Sequence, residues 1–314
     1  MKTYSTSYFK DPASDHQFIE HWVAKLEQLN KRQYERHNVQ TSLGNTVVWS
    51  LNSDRTTLPF LFIFPGFRTS SLFWDLDNGL EQVEDHYRVF LVETNGQPTL
   101  SDGNTPDIKT LDYGYWAAEV IKYFTPGKVS VAGASFGGLV CLKLAIAAPE
   151  KVDQIFLLNP GCFQAFSLSL KNLYYNLLPI LLPSKKNVKR FLDKAVFCPP
   201  AHYLSEERMQ MIIDYEVFAL TRYVDKAQKP YAMTFDELQK VEAAVHLIVG
   251  ENDLLFPYRE TIRAAEQGLK NLKQVTILPD TGHGIETLRE AIIKLKAEST
   301  LSVEFSAAPL RIVK

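Results

Sequence analysis

The chain has 314 residues, and its 34 lysine and arginine residues nearly balance 36 aspartate and glutamate residues, for a net charge of −2. Hydrophobic residues make up 46% of the chain and aromatic residues 12%, which is enough for a packed core and argues against long disorder or a fibrous repeat. The balanced charge predicts no nucleic-acid partner. Three scattered cysteines without CxxC spacing argue against a disulfide framework and a structural zinc site.

The N-terminal residues contain no apolar stretch, so we expect a cytoplasmic protein without a secretory signal. The segment 166–183 is apolar, but it includes Lys171 and Pro179 and is shorter than the run of about 20 residues that a bilayer requires. We therefore predict helices that cover an apolar site and no stable membrane insertion, with membrane contact as the alternative.

The first predicted elements are a helix, a hairpin and a buried strand. Ser14 is the expected N-cap of an amphipathic helix, with Gln17 completing a capping box. Gly44 and Asn45 form the turn signal between two short strands. The run FLFIF at 60–64 is apolar on both faces, which is typical of a strand inside a parallel sheet.

Further along the chain, strands and helices alternate. Helices are predicted near 80–86, 113–124 and 139–147, and strands at 87–93, 128–132, 154–159, 244–249 and 274–278. This alternation predicts an α/β fold with a mostly parallel central sheet and helices on both faces. The interval 161–238 is rich in Leu, Tyr and Phe and contains no predicted strand. We interpret it as a helical cap inserted into a core formed by 1–160 and 239–314.

The strongest chemical signal is the segment VSVAGASFGG, in which residues 133–137 match G-x-S-x-G between a predicted strand and a predicted helix. A serine on such a strained strand-to-helix turn projects its hydroxyl at the edge of the sheet. The following helix directs its N-terminal N–H groups at the same point. Ser135 is therefore the predicted nucleophile. The alternative, a glycine-rich nucleotide-binding turn, lacks both G-x-G-x-x-G and a P-loop lysine.

A serine nucleophile needs a base, and three histidines follow Ser135 in the chain. His246 lies inside an apolar strand, and His202 lies in the predicted cap, where packing explains it. His283 follows a predicted strand and lies between two glycines in LPDTGHG. His283 is therefore the predicted base.

The predicted acid is Asp253, on the loop GENDLLFP that follows the strand 244–249. Its carboxylate would accept the imidazole N–H and fix the tautomer of the base. Glu251 and Asp280 are alternatives, although Asp280 is more typical of a turn.

An oxyanion requires at least two donors, and we expect the backbone N–H groups of Phe67 and Phe136. Gly66 would allow the loop after FLFIF to approach the reacting atoms closely. Arg68 is either a contact to a substrate carboxylate or a solvated loop residue. We place Gly66, Arg68 and Cys162 among the expected substrate contacts.

The chain resembles the α/β-hydrolase superfamily in five sequence motifs and in their order. These motifs are PGFRTSSLFW, VETNGQPTLSDG, VAGASFGG, LIVGENDLLFP and LPDTGHG. The sequence segments around the insertion are similar to those of small capped bacterial carboxylesterases. The resemblance implies the α/β-hydrolase fold, with Ser135, Asp253 and His283 as nucleophile, acid and base and Phe67 and Phe136 as oxyanion donors. Pro65-Gly66 replaces the His-Gly of the family's oxyanion loop.

The resulting hypothesis is a serine hydrolase, a carboxylesterase that cleaves a small, largely apolar ester through an acyl-enzyme. It requires no metal or organic cofactor, and its expected partner is a small-molecule ester, with the chain a monomer or homodimer. The alternatives are a thioesterase or a carbon–carbon bond hydrolase on the same triad, and a non-catalytic ligand-binding member of the superfamily.

Overall fold

A computed structural model describes residues 8–224 and 229–296, and the backbone of 311–313. Its nine strands form one sheet in the order β1-β2-β4-β3-β5-β6-β7-β8-β9. The pairs β1–β2 and β2–β4 are antiparallel, and every other pair is parallel. The strands are β1 (Glu35–Thr41), β2 (Gly44–Leu51), β3 (Phe60–Phe64), β4 (Arg88–Val92), β5 (Val129–Ala134), β6 (Val152–Leu158), β7 (Ala244–Gly250), β8 (Leu272–Leu278) and β9 (Arg311–Val313).

Helices cover both faces of this sheet. They are α1 (Pro12–Asn30), α2 (Asp112–Phe124), α3 (Phe136–Ala147), α4 (Leu170–Leu181), α5 (Lys185–Phe191), α6 (Glu206–Arg222), α7 (Phe235–Leu238), α8 (Tyr258–Gly268) and α9 (Arg289–Ile292). Short 3₁₀ segments occur as well, the longest at Ser71–Gln82. None of the helices described is both long and apolar enough to cross a bilayer.

Strand β3 illustrates how the sheet divides the core. Leu61 and Ile63 belong to the cluster that packs under α1 and α6, whereas Phe62 and Phe64 belong to the cluster under α2 and α3. All four side chains are fully buried. Successive residues of a strand point to opposite faces, so a strand inside a two-sided core must be apolar throughout. The predicted α/β fold with a mostly parallel sheet is confirmed.

Two local predictions are wrong in detail. The first helix begins at Pro12 with Asp11 as its N-cap, and Ser14 lies inside the helix, where its hydroxyl donates to the Asp11 carbonyl. Proline at the first helical position accounts for the earlier start, because it has no N–H to lose. The helix predicted near 80–86 is the end of the 3₁₀ segment 71–82, which is interrupted by the left-handed residues Asp77 and Asn78.

Between β6 and β7, the described residues form α4 to α7 and no strand of the sheet. Helix α6 of this segment is held to α1. The Trp22 indole donates to the Met211 carbonyl (3.0 Å), the rings of Phe18 and Phe218 stack with centroids 4.0 Å apart, and Arg222 pairs with Asp15 (2.8 Å). The division into a core and a cap over 161–238 stays a proposal.

Candidate active site

Ser135 lies on the turn between β5 and α3, and its backbone is strained. Its φ of 49° falls in the left-handed region that residues with a Cβ rarely adopt. The flanking glycines make the turn possible: a Cβ on Gly133 would lie 2.3 Å from the Gly137 carbonyl oxygen, and one on Gly137 would lie 2.1 Å from that of Phe64. The tight turn places Ser135 on the wall of a cavity.

His283 lines the same cavity. Its Nδ1 lies 2.8 Å from Oδ2 of Asp253, on the loop after β7. The buried Asp253 carboxylate is held in place because its Oδ1 accepts the N–H groups of Leu255 (2.8 Å) and Phe256 (3.0 Å). The structure therefore pairs the expected base with the expected acid and places the expected nucleophile on the wall of the same cavity. Glu251 and Asp280, the alternative acids, are exposed, and neither has a hydrogen bond to His283 among the described residues.

Opposing influences set the pKa of His283. Burial lowers it, but the Asp253 charge and hydrogen bond, together with the charge of Glu286, raise the pKa of His283 above its ordinary value of 6.5. Glu286 also lines the cavity, and burial raises the pKa of this carboxyl group, although the His283 charge lowers it. The electrostatic environment thus stabilises a protonated imidazole, the species that forms when a histidine accepts the proton of a serine.

The loop after β3 approaches Ser135 closely, since a Cβ on Gly66 would lie 3.7 Å from that of Ser135. The loop is fixed by two hydrogen bonds, from Thr69 Oγ1 to the Gly66 carbonyl (3.0 Å) and from the Arg68 N–H to Gln97 Oε1 (2.7 Å). Phe136 begins α3, so its N–H has no partner within the helix. The Phe67 and Phe136 rings meet edge to face at 6.0 Å.

The other expected substrate contacts separate into two groups. Gly66 and Arg68 line the cavity, whereas Cys162 is not among its lining residues and lies fully buried in the core, where burial raises the pKa of the thiol. We therefore do not propose Cys162 as a substrate contact. The Arg68 guanidinium lies 5.6 Å from the centre of the Phe67 ring and interacts electrostatically with Glu216, another cavity residue.

Sequence reasoning missed the role of Asn159, which follows β6 with a left-handed φ of 40°. Its side-chain amide donates to the carbonyls of Gly282 and His283 (2.9 Å each), and its Oδ1 accepts the Gly250 N–H (2.8 Å). Asn159 therefore connects the loop of the base with the strand that leads to the acid. Its partners lie 91 to 124 residues away, so no local sequence pattern marks it.

His202 supports the loop of the base from the segment between β6 and β7. It is buried, and its Nδ1 accepts the Gly282 N–H at 3.1 Å. Burial, partly offset by a hydrogen bond at Gly284, lowers the pKa of His202 to about 4. The imidazole is therefore neutral at physiological pH, as an acceptor at Nδ1 requires.

We expect Asn159→Ala to lower kcat by about 10- to 100-fold with little change in KM, because removing three buried hydrogen bonds lets the base and the acid move relative to each other. Urea unfolding should show a loss of about 2–3 kcal/mol. The control is Gln154→Ala on β6, the strand that precedes Asn159, because the Gln154 amide donates to Ser130 and Tyr87 instead. A kcat for Asn159→Ala within twofold of wild type would contradict this role.

The α/β-hydrolase fold is defined by a sheet of this strand order, a serine on the turn after β5, and an Asp–His pair on the loops after β7 and β8. This chain has all three features. The sequence profile described as "Alpha/beta hydrolase family" matches residues 60–291. The chain belongs to this family.

Among curated proteins, the chain is 33% identical over 110 residues to a pimeloyl-[acyl-carrier protein] methyl ester esterase of Aeromonas salmonicida, a match that covers 34% of this chain and 40% of that esterase. The pimeloyl esterases of Aliivibrio fischeri and Nitrosomonas europaea are matched over 38% and 39% of their lengths. An uncharacterized carboxylesterase of Bacillus subtilis, nap, is 21% identical over 250 residues, covering 78% of this chain and 79% of that protein.

Solved structures share the fold. The naproxen esterase of Bacillus subtilis superposes with a TM-score of 0.76 at 18% identity, covering 90% of this chain and 96% of that one. Carboxylesterase CesB of the same organism gives a TM-score of 0.73 at 19% identity, with the same coverage.

Proposed function

We propose that this protein is a serine esterase that cleaves a carboxylic ester through an acyl-enzyme intermediate. The observation that carries the proposal is the strained Ser135 on the wall of a cavity that also contains His283, itself paired with Asp253 at 2.8 Å. Most of the curated relatives are named esterases, which supports the choice of an ester, and a further relative is named a putative carbamate hydrolase.

In this mechanism His283 takes the proton of Ser135 while the serine oxygen attacks the ester carbonyl carbon. Asp253 stabilises the imidazolium that forms, and the N–H groups of Phe67 and Phe136 bind the oxyanion. His283 then gives its proton to the leaving alcohol, and an acyl-enzyme remains on Ser135. Water, deprotonated by His283, hydrolyses this intermediate and regenerates the serine.

The cavity supports a small, largely apolar substrate. It has a volume of about 300 Å³, at the lower end of small-molecule sites. Aromatic and aliphatic side chains supply most of its wall, among them Phe73, Phe166, Leu173, Phe191, Phe197, Ile212 and Phe256. Arg68 and Glu216 add one polar region, in which burial raises the pKa of Glu216 to about 7 although the Arg68 charge lowers it. A neutral group that both accepts and donates hydrogen bonds would suit this pair.

A fluorophosphonate probe tests the nucleophile without knowledge of the natural ester. We expect the probe to label the wild-type protein and mass spectrometry to locate the adduct on the peptide that contains Ser135. The Ser135→Ala variant should remain unlabelled, whereas Ser130→Ala, on the preceding strand β5, should label like wild type. Equal labelling of wild type and Ser135→Ala would contradict the proposed mechanism and favour a ligand-binding protein.

The pH dependence of hydrolysis follows from the raised pKa of His283. Only the neutral imidazole can accept the serine proton, so kcat/KM should rise with pH and reach half its maximum above pH 6.5, the ordinary value for histidine. Initial rates with p-nitrophenyl acetate between pH 5 and 9 give this midpoint. A midpoint below 6.5 would contradict the dominant influence of the Asp253 carboxylate.

A further inference from the structure

Helix α4 exposes apolar side chains in an unusual way. Its outward residues recur every three or four positions and so share one face. They are Leu170, Tyr174, Leu177 and Leu181, exposed by 87%, 53%, 47% and 72%, and Leu168 and Leu182 flank them, exposed by 76% and 62%. We call these six residues the α4 face. A surface helix normally turns its polar side to water, so this arrangement is reversed.

The two asparagines of α4 are less exposed than the leucines of the α4 face and bond within the protein. Asn172 is fully buried, and its amide donates to the Ser167 carbonyl (2.8 Å). The Asn176 amide donates to Asn172 Oδ1 (2.7 Å). Asn172 and Pro179 are the buried residues of α4, so the opposite side of the helix, which carries the leucines of the α4 face, faces solvent. An exposed apolar patch of this kind marks a binding surface.

Positive charge surrounds the α4 face. Residues 161–198 contain six lysine and arginine residues and one acidic residue, although the whole chain has a net charge of −2. Lys171, Lys186 and Arg190 are exposed, and Lys185 is exposed as well but pairs with Asp214 of α6 (2.7 Å). The Arg190 guanidinium donates to the Tyr174 hydroxyl (3.3 Å), so a cation lies directly at the edge of the apolar residues.

We propose that the α4 face binds the surface of an anionic lipid bilayer. Amphipathic helices are held at such a surface by two kinds of contact: apolar side chains enter the headgroup region, and the surrounding lysines and arginines reach lipid phosphates. A helix of 12 residues is about 18 Å long, so it lies on the bilayer and does not span it. In a two-fold contact between two copies of this chain, the same basic residues would face each other, which disfavours self-association.

The α4 face is continuous with the cavity. Leu173, Leu177 and Ile180, all on α4, line the cavity that contains Ser135. Docking of α4 would therefore place one wall of the cavity against the lipid. Bilayer binding goes beyond the proposed esterase function and does not require it, because it depends on the exposed side of α4 and not on Ser135, Asp253 or His283.

Sedimentation with vesicles tests the proposal. The 314-residue chain is mixed, in low salt, with sucrose-loaded vesicles that contain either phosphatidylcholine alone or phosphatidylcholine with about one third phosphatidylglycerol. We expect the apparent affinity for the anionic vesicles to be at least tenfold higher than that for vesicles of phosphatidylcholine alone. The fraction bound to anionic vesicles should fall as salt is added. The proposal would be overturned if the wild-type protein stayed in the supernatant at millimolar anionic lipid. A dimer in size-exclusion chromatography, without vesicle binding, would also overturn it, because the α4 face would then contact a second copy of the chain.

Two variants separate the apolar contribution from the charge. Leu170→Ser combined with Leu181→Ser should weaken binding to anionic vesicles at least tenfold, and Lys186→Glu with Arg190→Glu should abolish the preference for anionic lipid. Tyr123→Ser and Phe235→Ser, at exposed positions elsewhere, and Lys122→Glu are the matched controls. Circular dichroism of the leucine variant reports whether it is folded, independently of any esterase activity. Unchanged binding by a folded leucine variant would exclude the α4 face.

Discussion

The Asp253→Asn variant is expected to lose about 10⁴-fold in kcat while keeping its fold. An asparagine oxygen can still accept the N–H groups of Leu255 and Phe256, so the loop should stay in place. The amide has no charge, however, and its NH₂ group cannot accept the imidazole N–H. The His283 tautomer is then wrong for accepting the serine proton, and its imidazolium is no longer stabilised.

Steady-state kinetics with p-nitrophenyl acetate, together with circular dichroism, measure this effect. The midpoint of the pH profile should also fall, because the Asp253 charge raises the pKa of His283 in the wild type. Glu251→Gln, two residues away and exposed, is the matched control and should retain activity within twofold. Activity of Asp253→Asn within tenfold of wild type would assign the acid to another residue.

Gly137→Ala is expected to destabilise the protein by about 3 kcal/mol or more and to abolish esterase activity. The new Cβ would lie 2.1 Å from the carbonyl oxygen of Phe64, 2.6 Å from its carbonyl carbon and 2.8 Å from the carbonyl oxygen of Pro65. These are backbone atoms, so either β3 or the turn at Ser135 must move. Both movements displace an expected oxyanion donor, because Phe67 follows Pro65 closely and Phe136 follows Ser135.

Urea unfolding and fluorophosphonate labelling measure the two parts of this prediction. Gly127→Ala is the matched control, because a Cβ there would meet its nearest neighbour, Thr125 Oγ1, at 3.6 Å in ordinary contact. It should unfold within about 0.5 kcal/mol of wild type. A Gly137→Ala protein with wild-type stability and labelling would show that the turn can relax without cost.

The sequence predicted the parts of this molecule that depend on local patterns. FLFIF is apolar at every position because β3 is buried on both faces, and the glycines around Ser135 are required by contacts of 2.1 to 2.3 Å. Ser135, Asp253 and His283 each follow a strand of the parallel sheet, so their positions at one edge could be expected from the order of elements alone.

The features that sequence reasoning missed depend on distant partners. Asn159 is a single asparagine after a strand, and only the folded chain brings its amide to Gly250 and His283. Glu216 lies in α6 among other acidic residues, and nothing local shows that it faces the cavity. Cys162 is close to the cavity residues along the chain, but its side chain points into the core.

The attachment of α6 to α1 has a consequence for how an ester reaches Ser135. Stacked rings and an ion pair make α6 a fixed wall, so the segment between β6 and β7 cannot swing away as one lid. Helix α4 buries only Asn172 and Pro179, whereas α6 buries residues along its whole length, so α4 is less deeply embedded than α6. Because α4 also lines the cavity, we expect an outward displacement of this helix by a lipid surface to widen the path of a lipophilic ester to Ser135.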